Sequence, residues 1–536
     1  MNYIKKHIEN KKNITIVLIF WILSLFMIIP FRNTPLIYWD LPYHLAPINE
    51  ILSNIHSDNF IIPSIATKTM GSFGYPANIF YPVYSCIPLV FLRLFFSAYH
   101  AYLVFLVIIS FLSFLSIYYI SKKLKLTTYG ALISSLIYGF SEYRLSDMFG
   151  RQDLSQCIAY ILIPFAFYGF YQITIKNYKH WWILSISMTL LLLTHLLSTI
   201  LISIFFIISL GFLLISKNNI LIRVKYLVIA TITTILLSSF FIIPLIQAYI
   251  STNGVLINIS EMSNTVVDIN NMIGFYSIGI LQLLVIIVSL LSLKILPTFY
   301  KYLLVESIIF LYLASSLFPW NTSIFQNLFS VLQFPIRFLL IFSLLTSIIG
   351  GFIFEKMISS KNTKIIILVL ITIFECLVFL NYTNIAKTNV GAEKSSYRSF
   401  VLETNNIKNY DYLPKSAKPK IPDLERHSVN SLNKIKIKQI KYSTKPNSMT
   451  FKVLSNKKYN NVEFPVVFYP GFKVSNNKKT QNFCISKNHL IKTSLKKGTN
   501  NITIYYRKQL INYITFIISI ITTILLLLYI NKENKK

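Results

Sequence analysis

The chain has 536 residues, of which 54% are hydrophobic and 15% aromatic, with a mean hydropathy of +0.58. Repeated apolar runs of about 20 residues exclude an ordinary soluble enzyme and point to a polytopic membrane protein. The net charge is +32, from 51 Lys and Arg against 19 Asp and Glu; much of it lies between apolar runs, which argues against nucleic acid and for anionic headgroups or a polyanionic surface polymer, on top of a plain bias toward Lys, Asn and Ile.

The N-terminus carries Lys5, Lys6, Lys11 and Lys12, which the positive-inside rule places in the cytoplasm. The first apolar run, 14–30, ends in Ile-Ile-Pro-Phe-Arg without a small-residue cleavage site, so an uncleaved span is expected. It exits into an outer loop, 31–77, which opens on Tyr38-Trp39-Asp40-Leu41-Pro42-Tyr43-His44. Asp40 and His44 are four apart and share a face if this turn is helical. The plain alternative is an interfacial turn with Tyr and Trp in the headgroup belt.

The segment 78–96 is apolar but holds Pro82, Pro88 and Arg93, and follows Gly71 and Gly74. The firm span 101–120 ends at Lys122, Lys123 and Lys125. That cluster falls inside only if 78–96 does not cross, so a re-entrant or interfacial element is expected there. Spans then follow at 128–140, 158–175, 181–197, 198–215, 226–245, 271–293, 302–318, 336–354 and 365–380, alternating in direction with the basic loops inside. About twelve spans plus one re-entrant element result, with both termini cytoplasmic. Residues 1–384 form this membrane domain. Residues 385–508 form an outward-facing β-rich domain, whose strands are read at 448–454, 461–469 and 501–506 from β-branched and aromatic alternation between Asn, Lys and Gly turns. Residues 509–536 return across the membrane to a basic tail.

The four cysteines give no disulfide framework or metal spacing. No phosphate-binding glycine loop, His-Glu-x-x-His, Gly-x-Ser-x-Gly or Asp-x-Asp is present. The polar residues that need a reason gather on the outer side: Asp40 and His44; the loop with Glu142, Arg144, Asp147, Arg151 and Asp153; His195 near a span end; and Arg337 in Gln-Phe-Pro-Ile-Arg. Each has a simpler reading: an i,i+3 ion pair for Arg144 and Asp147, snorkelling for Arg337, a core hydrogen bond for His195, and plain solvation for Glu261 and Asp268. Together they suit a lipid-phosphate sugar donor, with arginines clamping the phosphate and a carboxylate taking the acceptor's proton.

At these residues the chain resembles the GT-C superfamily of polyprenyl-phosphate-sugar-dependent glycosyltransferases. More narrowly, it resembles the YfhO-like bacterial membrane proteins and those labelled pyruvoyl-tetrahydropterin-synthase-related. The pieces are Asp40-Leu-Pro-Tyr-His44, Gly74-Tyr-Pro-Ala-Asn-Ile-Phe-Tyr-Pro82, Tyr143-Arg-Leu-Ser-Asp147 with Arg151, Leu193-Thr-His195, Gln333-Phe-Pro-Ile-Arg337, Asp411-Tyr-Leu-Pro414 and Phe468-Tyr-Pro-Gly-Phe-Lys-Val474. The resemblance covers most of the chain and implies Asp40 as catalytic base, with interfacial helices in the first outer loop. Gln156 stands where the family often has a glutamate.

The expectation is an inverting glycosyltransferase in a bacterial cell membrane. Asp40 and His44 would be catalytic, Arg144, Arg151 and Arg337 would bind donor phosphate, and Asp147, Asp153, His195 and Tyr412 would support them. The partners implied are a polyprenyl-phosphate-linked sugar, membrane lipids, and an acceptor that is a teichoic-acid-type polymer, another glycolipid or a protein. No nucleotide is implied. Members of the superfamily differ in their use of a divalent metal, and the carboxylates here are too few to call for one. A transporter or flippase of a lipid-linked sugar, and a non-catalytic polymer-binding scaffold, stay open as alternatives.

Overall fold

The computed structural model describes residues 2–33, 35–37, 40–55, 62–216, 219–256, 265–267, 274–389, 393–394, 410–433, 436–458 and 460–535. Tyr38, Trp39, Glu261 and Asp268 lie outside them. The chain divides into two units: Met1–Leu41, Phe91–Thr234 and Ile259–Phe400 in the first; Pro42–Val90, Ile235–Asn258 and Val401–Lys536 in the second.

Among the described residues eight helices are long and apolar enough to cross a membrane: Asn13–Phe31, Ala98–Lys123, Leu154–Thr174, Leu196–Leu214, Ile220–Leu237, Pro335–Met357, Lys361–Lys387 and Leu510–Glu533. The sequence leads one to expect twelve to thirteen spans, of which these eight helices account for part. Several apolar runs fold as shorter helices, among them Thr128–Gly139, Trp181–Leu192, Ser239–Ser251 and Ile280–Leu291. A 12-residue helix is about 18 Å long, well short of a hydrocarbon core of about 30 Å. The breaks have local causes. His195 ends one run by capping the next helix, the run expected at 226–245 is interrupted at Ser238, and Gly274 and Gly279, both at positive φ, hold a non-helical stretch before Ile280. Residues 78–96 are likewise not one helix: Ala77–Phe80 is separated around Pro82 from the short helical run Tyr84–Cys86, which continues directly into Ile87–Phe95.

In the first unit, Pro335–Met357 is the enclosed centre, fully buried over its apolar window, whereas Lys361–Lys387 buries 17% of its own. Apolar side chains left facing outward on such helices suit lipid. The central helix meets Thr128–Gly139 backbone to backbone: a Cβ on Gly351 would lie 2.0 Å from Ser134 Oγ and 2.5 Å from the Gly130 carbonyl. Small residues at such a contact allow the close packing that replaces hydrophobic drive inside a bilayer. A short antiparallel pair, β1 (Leu36–Ile37) with β2 (Glu393–Lys394), joins two ends of this unit.

The second unit holds a sandwich of two antiparallel sheets. One contains β3 (Asn430–Ser431), β6 (Asn460–Val467), β10 (Leu490–Leu495) and β9 (Cys484–Ile485), in that order. The other runs β4 (Ile437–Lys445), β5 (Ser448–Ser455), β11 (Gly498–Tyr506), β7 (Phe472–Asn476) and β8 (Lys479–Gln481). Met449, Phe451, Val453, Ile502 and Ile504 point inward at period two and meet Val462, Phe464 and Val466, with Phe451 and Phe464 ring centroids 5.3 Å apart. The three strands read from sequence are present.

The same core takes in Ala46, Ile65 and Tyr75 from the stretch 31–77, together with Phe80, Ala248 and Val255. Glu50, 1% exposed, fixes that stretch. Its carboxylate accepts from the backbone N–H groups of Thr67, Lys68 and Thr69 at 2.9 Å each, and from both threonine hydroxyls at 3.0 Å.

Candidate active site

The first unit gathers most of the suspected polar residues around one turn. After the helix Thr128–Gly139 the chain makes a short helix, Glu142–Leu145, then a π-helical turn, Ser146–Arg151. Gln152 at φ +60 ends the turn, and Asp153 caps the helix Leu154–Thr174 by accepting from the Gln156 N–H at 3.0 Å. The wide turn needs Gly150: a Cβ there would lie 2.0 Å from the Phe275 ring. This geometry turns Arg151 and Asp153 toward the same space.

Arg151 Nε donates to Asp40 Oδ2 at 2.5 Å, and its Nη2 lies 3.3 Å from Asp153 Oδ2. A backbone bond from Asp40 N to the Arg151 carbonyl, 3.2 Å, ties the same two residues. Asp153 Oδ2 is also 3.5 Å from His195 Nε2. His195 Nδ1 accepts from the Ser198 N–H at 3.2 Å, so the neutral ring carries its proton on Nε2, facing Asp153. Asp40, Arg151, Asp153 and His195 thus form one continuous chain. Asp40 is its open end, with 34% of the side chain exposed against 11% for Arg151, 3% for Asp153 and 2% for His195.

Arg337 joins through Phe334: the two guanidinium carbons lie 5.3 Å (Arg151) and 4.9 Å (Arg337) from its ring centroid. Arg337 Nη1 donates to the Leu332 carbonyl at 2.7 Å and Gln333 Oε1 at 3.0 Å, and its buried Nε has no partner among the described residues. Asp147 is fully buried behind the turn, and neither carboxylate oxygen has a hydrogen-bond partner there. Burial pushes its carboxyl well above the usual carboxylate range, against the pull of Arg151. For Arg151 burial works against the charge, yet Asp40 and Asp153 outweigh it and hold the guanidinium pKa up. Among the described residues no group of three or more His, Cys, Asp or Glu stands as a metal-binding set.

Not every expected residue is here. Arg144 is fully buried and points into the helix pack, donating to the Gly139 carbonyl at 2.6 Å and Ser110 Oγ at 3.1 Å; its placement is that of a strut, and it forms no bond to Asp147. His44 and Tyr412 belong to the second unit. The His44 ring meets Tyr43 and Tyr81 edge-on at 5.9 and 5.7 Å, and Tyr412 stacks on Phe80 at 5.1 Å.

Two features escape the sequence reading. Tyr276, whose N–H donates to Ser146 Oγ at 2.8 Å, is electrostatically coupled to Arg151 and Asp147; nothing in its own run of sequence announces that. Glu142 and Glu375 line one small cavity with Gln282 and Gly279. Glu142 is 3% and Glu375 5% exposed, and both Glu142 oxygens lack a partner among the described residues. Burial pushes Glu142 up to about 8. Here a signal was available, since Glu375 interrupts an apolar span.

No family model matches the chain, and no curated protein or solved structure is significantly similar to it.

Proposed function

We propose that the chain is a GT-C-type inverting glycosyltransferase of a bacterial cell membrane, with both termini cytoplasmic and Asp40 on the outer side. It moves a monosaccharide from a polyprenyl-phosphate sugar to a hydroxyl of a surface polymer, glycolipid or protein. The observation that carries this reading is the Asp40–Arg151 pair at the open end of a buried chain of acids and base. In the proposed step the acceptor oxygen attacks the anomeric carbon. The bond from that carbon to the phosphate oxygen breaks, and polyprenyl phosphate leaves with the electron pair. The acceptor's proton passes to Asp40. Only Oδ2 is held by Arg151; Oδ1 has no bond among the described residues and is the atom assigned to the proton.

Arg151, Arg337 and Phe334 form the phosphate side, where donors set in place before reaction stabilise the leaving charge. Asp153 and His195 hold Arg151 in its orientation. Asp40→Asn still offers one amide oxygen to Arg151 Nε but removes the base, so sugar transfer in membranes carrying the variant should fall by about two to four orders of magnitude. Full transfer by that variant would remove the mechanism.

A second reading, a flippase of a lipid-linked sugar, is favoured by the Glu142–Glu375 cavity, because ionisable groups inside apolar helix packs mark ion or substrate paths. Movement of a labelled donor across reconstituted vesicles without acceptor, abolished by Glu375→Gln, would select it.

A further inference from the structure

The outer face of the five-stranded sheet has an unusual composition. Strand register aligns Ser443, Thr450, Thr503, Ser475 and Thr480 into one row crossing all five strands. Thr450 and Thr503 hydroxyls are bonded at 3.0 Å. The next row on one side reads Lys445, Ser448, Tyr505 and Lys473. On the other side it reads Lys441, Lys452 and Asn501, and Asn501 accepts a backbone bond from Asn477, beside Lys478. Lys441, Lys445, Lys452, Lys473 and Lys478 are all exposed. The five strands contain no Asp, Glu or Arg.

Lys441 and Lys452 stand directly opposite each other on neighbouring strands. Like charges in that position destabilise a sheet, and this face offers no acid to compensate. The sheet carries that cost, which an anionic ligand would remove. An open concavity of about 660 Å³ lies on the same face, lined by Ser475, Asn477, Lys478, Asn501, Thr503 and Tyr505. Alternate residues along a strand are about 6.7 Å apart, so the two lysine rows flank a hydroxyl strip about 13 Å wide, room for one extended chain.

We propose that this face binds an anionic polyol or glycan chain, its phosphate or carboxylate groups met by the two lysine rows and its hydroxyls by the Ser, Thr and Asn strip. Single-stranded nucleic acid fits less well, because its binders stack bases on several aromatics and on arginine, and this face has Tyr505 alone. The inference goes beyond sugar transfer and does not rest on it, since binding needs no sugar donor.

The test uses the full chain in detergent with a fluorescent glycerol-phosphate oligomer, a neutral dextran oligomer and single-stranded DNA. The glycerol-phosphate oligomer should bind, and bind less tightly as salt rises, while dextran should bind at least about tenfold more weakly. Replacing Lys441, Lys445, Lys452 and Lys473 together by Gln should weaken binding at least about tenfold, whereas K487Q/K492Q, on and beside the other sheet, should change it by less than about twofold. K452Q alone should raise the thermal midpoint of the unliganded protein and abolish part of the further rise that the oligomer gives the parent. Parent-strength binding by the fourfold variant, or tighter binding of DNA than of the oligomer, would overturn the proposal.

Discussion

Arg151 meets Asp40 on one side and Asp153 on the other, while Arg144, seven residues earlier, meets the Gly139 carbonyl, the Ser110 hydroxyl, the Met27 sulfur and the Tyr160 ring. Two arginines that look equivalent in the sequence therefore have different work. Under the transferase reading, Arg151→Met should lower sugar transfer by at least about a hundredfold, because a charged donor aimed at the leaving phosphate is lost. Arg144→Met should show its effect in thermal stability and leave transfer within about tenfold of the parent.

Glu142 gives a residue-scale pH dependence. Its folded pKa, pushed to about 8 by burial, lies above the ordinary value of 4.5. A carboxyl raised on folding contributes stability that is complete below its unfolded pKa and is lost as pH rises through the folded one. The gap in thermal midpoint between Glu142→Gln and the parent should therefore widen in favour of the variant from about pH 4.5 to about pH 8. A gap that stays constant over that window would place the proton elsewhere.

At the scale of elements, the turn Ser146–Arg151 depends on Gly150, because the Phe275 ring fills the place of a Cβ. Gly150→Ala should displace Arg151 and Asp153, lowering both transfer and thermal midpoint, and Phe275→Leu added to it should restore part of each. Glu50 sets a comparable constraint in the second unit. Glu50→Ala leaves three loop N–H groups without their acceptor and should cost at least about 3 kcal/mol, read as a lower unfolding midpoint.

How far the elements were legible follows from what carries the signal. Sandwich strands alternate strictly, so their period survives in the sequence, as at Met449, Phe451 and Val453. Membrane segments are apolar all round, so an apolar run does not reveal that its helix breaks inside it, as the run 226–245 does at Ser238. The cluster of Asp40, Arg151, Asp153, His195 and Arg337 could be suspected from residue type and spacing. Its internal wiring, and the removal of Arg144 from it, depend on which way one turn faces, and spacing does not encode that.

At the scale of the molecule, the second unit is drawn from three stretches of chain: Pro42–Val90, Ile235–Asn258 and Val401–Lys536. Its core residues come from all three, with Tyr75, Ala248 and Phe451 in one cluster. The first stretch cannot bury its apolar side chains against strands that have not yet been made. During synthesis it must wait, exposed, while several hundred further residues emerge. Nascent chains stopped before residue 401 should thus keep the segment 62–80 open to protease, and protection should appear only once β11 has left the ribosome. A frameshift or stop codon near the 3′ end of the gene would in this way damage the beginning of the protein as much as its end.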